Sequence, residues 1–329
     1  MPENIIEVKN VKKEFKTLKK KAGLRSSLAT LLSRKYKIIR ALNGVSFEIK
    51  EGEFVGMIGP NGAGKSTMIK ILTGILTPSS GEVNALGIVP YEDRQAYAQN
   101  IGVVFGQRTQ LWWDLPVKDT FDLLRHIYAV PMDVYKENMK RFTEVLGLDK
   151  YLHQPVRKLS LGERMRCDLA ASLLHNPKII FLDEPTIGLD VEAKFRIREF
   201  LKEQNKNGMT IILTTHDTGD IEELCPRTII IDKGGIIYDG LTSKFRERVA
   251  TQRALVVDFK EPSPKRISLP SGARILSREG DRIIIGINIR KTAVASVIRH
   301  ILGKYKIDDI STQEPSIEET IRKIYREGI

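Results

Sequence analysis

Apolar positions along the chain fall into short alternations, short solid runs and stretches of helical spacing. Ile5 to Val11 reads as a strand, and Val45, Phe47 and Ile49 alternate with polar residues before a turn at Glu51-Gly52, predicting another. Phe54 to Ile58 is a solid apolar run, as a strand buried on both faces requires, and a helix is predicted from Ser66 to Leu76. A strand at Ile101 to Phe105 is followed by helical spacing, with Phe121, Leu124 and Ile127 on one segment and Met139, Phe142 and Leu146 on the next. Strand signals resume at Ile179 to Leu182, Thr210 to Leu213, Thr228 to Ile231 and Ile236 to Tyr238, with a helix from about Val191. Strands alternating with helices predict a largely parallel sheet covered on both faces, interrupted by a helical insertion over about 108–177.

The pattern changes after Gly240. Glu261-Pro262-Ser263-Pro264 reads as loop, followed by strands at Ala273 to Ser277 and Arg282 to Ile289, a helix over Thr292 to Leu302 and a last helix capped near Ser316 with Glu318 and Glu319 in its first turn. The expected organisation is a main α/β domain over 1–244 and a small α+β domain over 245–329 with no catalytic features of its own.

Chemistry concentrates at two strand ends. Gly59-Pro60-Asn61-Gly62-Ala63-Gly64-Lys65-Ser66-Thr67 lies between an apolar run and a helix, the context of a phosphate-binding P-loop. Its glycines let successive N–H groups turn inward toward phosphate oxygens, the helix adds the positive end of its dipole, Lys65 reaches the outer phosphates and Ser66 offers a hydroxyl to Mg²⁺. The second strand end, Ile179-Ile180-Phe181-Leu182-Asp183-Glu184, places two carboxylates where a nucleotide hydrolase needs them: Asp183 for the metal, Glu184 to orient or deprotonate water.

Composition adds little except in one place. Across 329 residues, 41% hydrophobic and 29% charged are ordinary globular values, no apolar run is long enough to span a bilayer, and no secretory leader is evident, so a cytoplasmic location is expected. Cys167 and Cys225 are too few for a disulfide framework. The net charge of +12 is concentrated: Lys16 to Arg40 carries nine basic residues and no acidic one, with Leu24, Leu28, Leu31 and Leu32 at helical spacing. Such a basic amphipathic insert suits an anionic membrane surface or an acidic partner, or it forms a solvated loop whose leucines pack on their own domain. Nucleic acid is not expected as a partner, since Tyr36 is the only aromatic there for base stacking.

Taken together these residues resemble the ATP-binding subunit of an ABC transporter over roughly residues 4 to 240. The fold implied is a P-loop NTPase core with a helical subdomain. The resemblance makes Gly59 to Thr67 the Walker A motif, Gln107 the Q-loop glutamine and a Mg²⁺ contact with Ser66 and Asp183, Leu159-Ser160-Leu161-Gly162-Glu163 the signature, Asp183-Glu184 the end of Walker B, Gly188-Leu189-Asp190 part of the D-loop, and His216 the switch histidine. More narrowly, the stretch Phe105 to Pro116 and the altered signature are similar to a branch serving drug, antibiotic or viologen exporters. Two departures stand out. Leu161 and Glu163 replace the usual glycine and glutamine of the signature, and a carboxylate near a polyanion weakens binding across a dimer unless Arg164 or Arg166 neutralises it. The basic insert also separates the adenine-stacking aromatic from the next strand, leaving Phe15 as the candidate and Tyr36 as its rival.

The resemblance implies ATP and Mg²⁺ as cofactors and a homodimer or paired ATPase subunit, because the signature of one copy, through Ser160 and Gly162, completes the Walker A site of the other. It also implies polytopic membrane permease subunits as partners and a peripheral place on the cytoplasmic face of the membrane. Trp112 and Trp113, just past Gln107, either join a docking surface for the permease or are buried in the helical insertion. Other classes are a soluble ATPase of this fold acting on ribosomes or nucleic acid, and a regulatory ATP sensor. The absence of a second P-loop speaks against the ribosomal type, and the short helical insertion against a DNA-repair type.

Overall fold

The computed structural model describes residues 3–18, 36–106, 108–215, 217–249, 252–260, 264 and 266–313, and the chain divides into two compact units, Met1–Gly240 and Leu241–Ile329. The leucine-bearing part of the basic insert and the helix expected after Ser316 lie outside the described residues.

In the first unit, β1 (Asn4–Leu18) and β2 (Tyr36–Lys50) pair antiparallel, and β4 (Ser80–Ala85) adds to β1, giving a three-stranded sheet in the order β2-β1-β4. β3 (Phe54–Ile58) runs into α1 (Lys65–Leu72) and belongs to a second sheet with β5 (Ile101–Phe105), β6 (Ile179–Asp183), β7 (Thr210–Thr214), β8 (Arg227–Asp232) and β9 (Gly235–Leu241). Its order is β5-β6-β7-β3-β8-β9, and the first five strands are parallel. Every residue of β3 and β7 is buried, which is why both read as solid apolar runs. Helix α1 shares one core with both sheets: Met68, Ile69 and Leu72 pack with Ile6, Val8 and Ile49 of one and Met57, Phe181 and Ile212 of the other. An 8-residue helix gains little from propensity alone, so this burial is what holds its N-terminus, and the loop before it, in place.

The helical insertion contains α3 (Val117–Ile127), α4 (Met132–Leu146), a 3₁₀ turn at Val156–Lys158 and α5 (Leu161–Leu173), with the short α2 (Arg94–Ala98) preceding β5. It is joined to the α/β core through α6 (Val191–Lys206), where Phe142 meets Phe200 edge to face at 5.7 Å between ring centroids. Helix α7 (Thr218–Leu224) follows β7.

The second unit begins with α8 (Thr242–Val249) and forms an antiparallel sheet in the order β11-β12-β10-β13 from β10 (Gln252–Phe259), β11 (Ala273–Glu279), β12 (Arg282–Asn288) and β13 (Ile307–Gln313). One face, with Leu255, Val257, Ile283 and Ile285, packs on Val297 and Ile301 of α9 (Val294–Leu302). Among the described residues, no helix is long and apolar enough to cross a membrane.

Two differences from the sequence expectations have physical causes. Strands β1 and β2 run into the basic insert from both ends, with Phe15 opposite Ile39 and Leu18 opposite Tyr36, because strand pairing continues past the last β4 partner at Lys12. This ribbon is exposed, so the alternation of burial that marks a strand is missing there. β4 carries little strand signal in the sequence, since only Val83 and Ala85 of its six residues are buried.

Candidate nucleotide site

Gly59 and Gly64, at the two ends of the loop, stand where contacts leave no room for a side chain. A Cβ on Gly59 would lie 2.2 Å from the Ile231 carbonyl, and Gly64 sits at φ 116° with the Ala41 carbonyl 2.7 Å from where its Cβ would be. The Ala63 N–H donates to Pro60 O at 3.1 Å, and Gly234 in the β8–β9 turn donates to Ala63 O at 2.9 Å. The same turn is tied to β2, since Asn43 N–H donates to Gly234 O at 2.8 Å. Asn61 and Gly62 lie at the tip of this curl, and Lys65, Ser66 and Thr67 open α1.

Lys65 is buried, and its Nζ donates to Gly59 O at 2.7 Å and Pro60 O at 3.3 Å, inside the curl. Burial pushes its pKa below the ordinary lysine value, against the pull of the Glu184 and Asp183 carboxylates in the other direction. The Ser66 hydroxyl donates to Asp183 Oδ1 at 3.2 Å, and the Thr214 hydroxyl donates to the same oxygen. Thus α1, β6 and β7 meet at one carboxylate. In the sequence Thr214 only closes a buried strand and carries no signal of its own.

Glu184 follows Asp183 in the left-handed region at φ 56°, a strained place for a non-glycine residue. Its N–H donates to Thr214 O at 2.9 Å, and its carbonyl crowds Gly106: a Cβ there would lie 2.2 Å away. The backbone therefore turns sharply at Glu184, over the end of β5. Gln107 and His216 lie outside the described residues; their neighbours Gly106 and Thr215 are described, with Gly106 N–H donating to Asp183 O at 2.8 Å.

A polar cluster around the buried Asp220, Thr186 and Thr215 lies next to this turn. Asp220 accepts the Thr186 hydroxyl and, at 3.2 Å, the Thr215 hydroxyl on Oδ2, while the Arg198 guanidinium donates to Oδ1 at 2.5 and 2.8 Å. It joins the segment after Glu184 to the residue before His216. Nothing in the spacing of these four residues announces the cluster.

The candidate adenine stackers are distinguished by register. Phe15 pairs with Ile39, two residues before Ala41 at the P-loop, and carries the Lys13 ammonium 5.3 Å from its ring centroid. Tyr36 pairs with Leu18, five residues from Ala41, which at about 3.3 Å per residue is some 17 Å along the ribbon.

Ser160 to Glu163 start α5. The Ser160 side chain accepts the Glu163 N–H at 3.3 Å, and the Glu163 carboxylate accepts the Ser160 N–H at 2.8 Å, a reciprocal cap. Leu161 and Gly162 lean on the D-loop: the Leu161 methyl is 3.0 Å from where a Cβ of Gly188 would be, and a Cβ on Gly162 would come 3.2 Å from Ala193. Asp190 caps α6 by accepting the Ala193 N–H at 2.8 Å. Among the described residues no hydrogen bond or ion pair joins 160–163 to 59–67 of the same chain. Trp112 and Trp113 are 41% and 51% exposed, so neither is buried in the helical insertion.

The sequence model of the family described as "ABC transporter" matches residues 42–187. The chain is 32% identical over 213 residues to the ABC transporter ATP-binding protein NatA of Bacillus subtilis (strain 168), covering 65% of this chain and 87% of that protein. It is 33% identical over 208 residues to the linearmycin resistance ATP-binding protein LnrL of the same organism, covering 63% and 67%. Among solved structures it resembles a dimeric post-hydrolysis state of the ATP-binding cassette MJ0796 bound to ADP and Pi, with 29% identity, a TM-score of 0.59, and 72% of this chain and 98% of that one covered.

Proposed function

From the premise that this chain belongs to the ABC transporter ATP-binding proteins, and so binds and hydrolyses ATP to energise a transporter, we propose that it works as a head-to-tail pair driving a separately encoded exporter permease. The observation that carries the pairing is the split site. Lys65, Ser66, Asp183 and Glu184 converge at the P-loop, whereas among the described residues no hydrogen bond or ion pair joins 160–163 to 59–67. A second copy brings its signature to this P-loop. Val191 and Phe195, four residues apart on α6 beside Asp190, are 85% and 59% exposed, and this apolar pair supports a protein contact at the D-loop.

In this reading the P-loop N–H groups and Lys65 hold the outer phosphates of ATP, with Phe15 against the adenine. Glu184, fixed by the strained turn at its own Cα, orients the attacking water and accepts its proton, and His216 contacts the γ-phosphate. Mg²⁺ fits the donors present. The Ser66 hydroxyl and Asp183 carboxylate are adjacent hard oxygens, and among the described residues no group of three or more His, Cys, Asp or Glu forms a cage, which suits an ion bound largely through the nucleotide. Ser66 and Asp183 would hold it together with Gln107; the ion supplies charge neutralisation at the phosphates. ATP binding favours the closed pair, and the permease feels the difference between open and closed states.

Export as the direction is supported by the resistance relative. The exposed Trp112 and Trp113 beyond Gln107 suit a permease contact, residues 16–40 suit an anionic membrane surface, and a peripheral place at the membrane follows from both. Residues 245–329 are an accessory domain in this reading. The test is light scattering of the full-length Glu184→Gln chain with and without MgATP. A dimer that forms only with ATP, and not in a Lys65→Ala variant, is expected; a monomer at saturating ATP overturns the pairing.

A further inference from the structure

Helix α5 carries more than the signature at its start. Arg164 and Asp168 are four residues apart on it, hence on one face, and both reach the loop that follows Gln107. Asp168 is only 3% exposed, yet its Oδ1 accepts the Thr109 hydroxyl at 2.9 Å and the Gln110 N–H at 3.0 Å. The Gln110 side-chain amide returns to the Asp168 main-chain carbonyl at 3.0 Å. One turn nearer the cap, the Arg164 guanidinium lies 5.5 Å from the Trp113 ring centroid, a cation–π distance. The Thr109 hydroxyl also accepts the Leu111 N–H at 3.1 Å, so one hydroxyl orders the loop and fastens it to the helix.

A buried carboxylate costs solvation that an apolar residue would not, and here burial lifts its pKa to about 6 against the opposing effect of Thr109, Gln110 and Arg164. What it provides in return is a directional join between helix and loop, added to the Gln110 amide bond and the Arg164–Trp113 contact. The loop is tied at its other end to the catalytic strand, where Phe105 is in register with Asp183 and Gly106 donates to Asp183 O. From Ser160 to Asp168 is about two turns of helix, roughly 12 Å of stiff rod. Arg108 N–H donates to Phe105 O at 2.9 Å, so hydrogen bonds among the described residues and the chain from Arg108 to Gln110 link α5 to the strand bearing Asp183.

We propose that Asp168 is a positioning residue that locks the Thr109–Trp113 loop to the signature helix, so that ATP engaging Ser160 moves helix, loop and the exposed Trp112 and Trp113 as one body. The proposal rests on the ATP-driven pairing described above.

The chain has two tryptophans, Trp112 and Trp113, so intrinsic tryptophan emission reports on this loop alone. The full-length Glu184→Gln chain is titrated with MgATP while emission and light scattering are followed in parallel, with Asp168→Ala, Asp168→Asn and Thr109→Val each added to it. The parent's emission should change with the same ATP midpoint as dimerisation. Asp168→Ala should still dimerise, with a midpoint within about threefold, but lose the emission change. Asp168→Asn, which keeps an oxygen acceptor, should restore it, and Thr109→Val should weaken it without creating a cavity. With Glu184 intact, Asp168→Ala should lower kcat about tenfold and leave KM within about twofold. A parent that does not dimerise defeats the pairing. A parent that dimerises with no emission change, an Asp168→Ala substitution that keeps the emission change and, with Glu184 intact, the unsubstituted kcat, or a failure of Asp168→Asn to restore, overturns this proposal alone.

Discussion

Glu163 is folded back on Ser160: its carboxylate accepts the Ser160 N–H at 2.8 Å while its own N–H donates to the Ser160 hydroxyl at 3.3 Å. The unusual glutamate of the signature is therefore half of a capping box. Burial raises its pKa, but the Ser160 N–H and hydroxyl, the nearby Tyr151 hydroxyl and the Arg166 charge outweigh that and hold it below the ordinary glutamate value. Arg164, the other candidate to neutralise it, is engaged with Trp113.

Replacing Glu163 separates cap from charge. Glutamine closes the same box, so Glu163→Gln should leave stability nearly unchanged, while Glu163→Ala should lose about 1 kcal/mol, the usual cost of a broken N-cap. In the Glu184→Gln background, Glu163→Gln should also dimerise at a lower ATP concentration, because a negative charge beside the incoming phosphates is gone. Urea unfolding and ATP-dependent light scattering read the two effects. A dimerisation midpoint that moves upward would mean that the carboxylate itself assists binding.

Gly106 offers a probe of Glu184 that leaves the P-loop alone. The Cβ of Gly106→Ala would start 2.2 Å from the Glu184 carbonyl oxygen, a backbone atom that cannot swing away, so the turn carrying Glu184 has to shift. A displacement near 1 Å costs about a hundredfold in rate when it moves a catalytic group. Single-turnover hydrolysis should fall by about that factor while ATP affinity stays within about threefold. Loss of affinity to the same degree would show that the disturbance spreads to the phosphate loop.

What could be read beforehand and what could not follow from burial and distance. The strands β3, β6 and β7 are legible because solid apolar runs have few other uses, and the tight loop over 59–64 because its glycines are written nearly consecutively behind one such run. The ribbon joining Phe15 to Ile39 was hidden by its exposure and its charge. Asp168, Thr214 and the Asp220–Arg198 pair are hidden for a different reason: each is an ordinary polar residue, and the bonds to Thr109, to Asp183 and between Asp220 and Arg198 span 59, 31 and 22 residues, so only the folded chain brings the partners together. Leu161 and Glu163 could be recognised as departures, but their uses, a contact on Gly188 and a helix cap, depend on the neighbours they meet.

Asp168 also makes stability depend on pH in a direction opposite to that of a paired surface carboxylate. Its pKa is raised to about 6 by burial, opposed by Thr109, Gln110 and Arg164, whereas an unfolded chain titrates aspartate near 3.9. Between about pH 4 and pH 6 the folded chain holds the extra proton, so the contribution of this group to stability falls as pH rises through that window and is level above it. An asparagine at 168 has no proton to lose. The stability of Asp168→Asn relative to the parent should therefore be lowest near pH 4 and rise toward pH 7, with most of the gain complete by about pH 6.5. Urea midpoints of both chains at about pH 4.5, 5.5 and 7 are enough to see it. A difference that stays constant, or that runs the other way, would mean that the Thr109 and Gln110 donors hold the carboxylate charged throughout, and the loop would then be fastened by an anion at every pH.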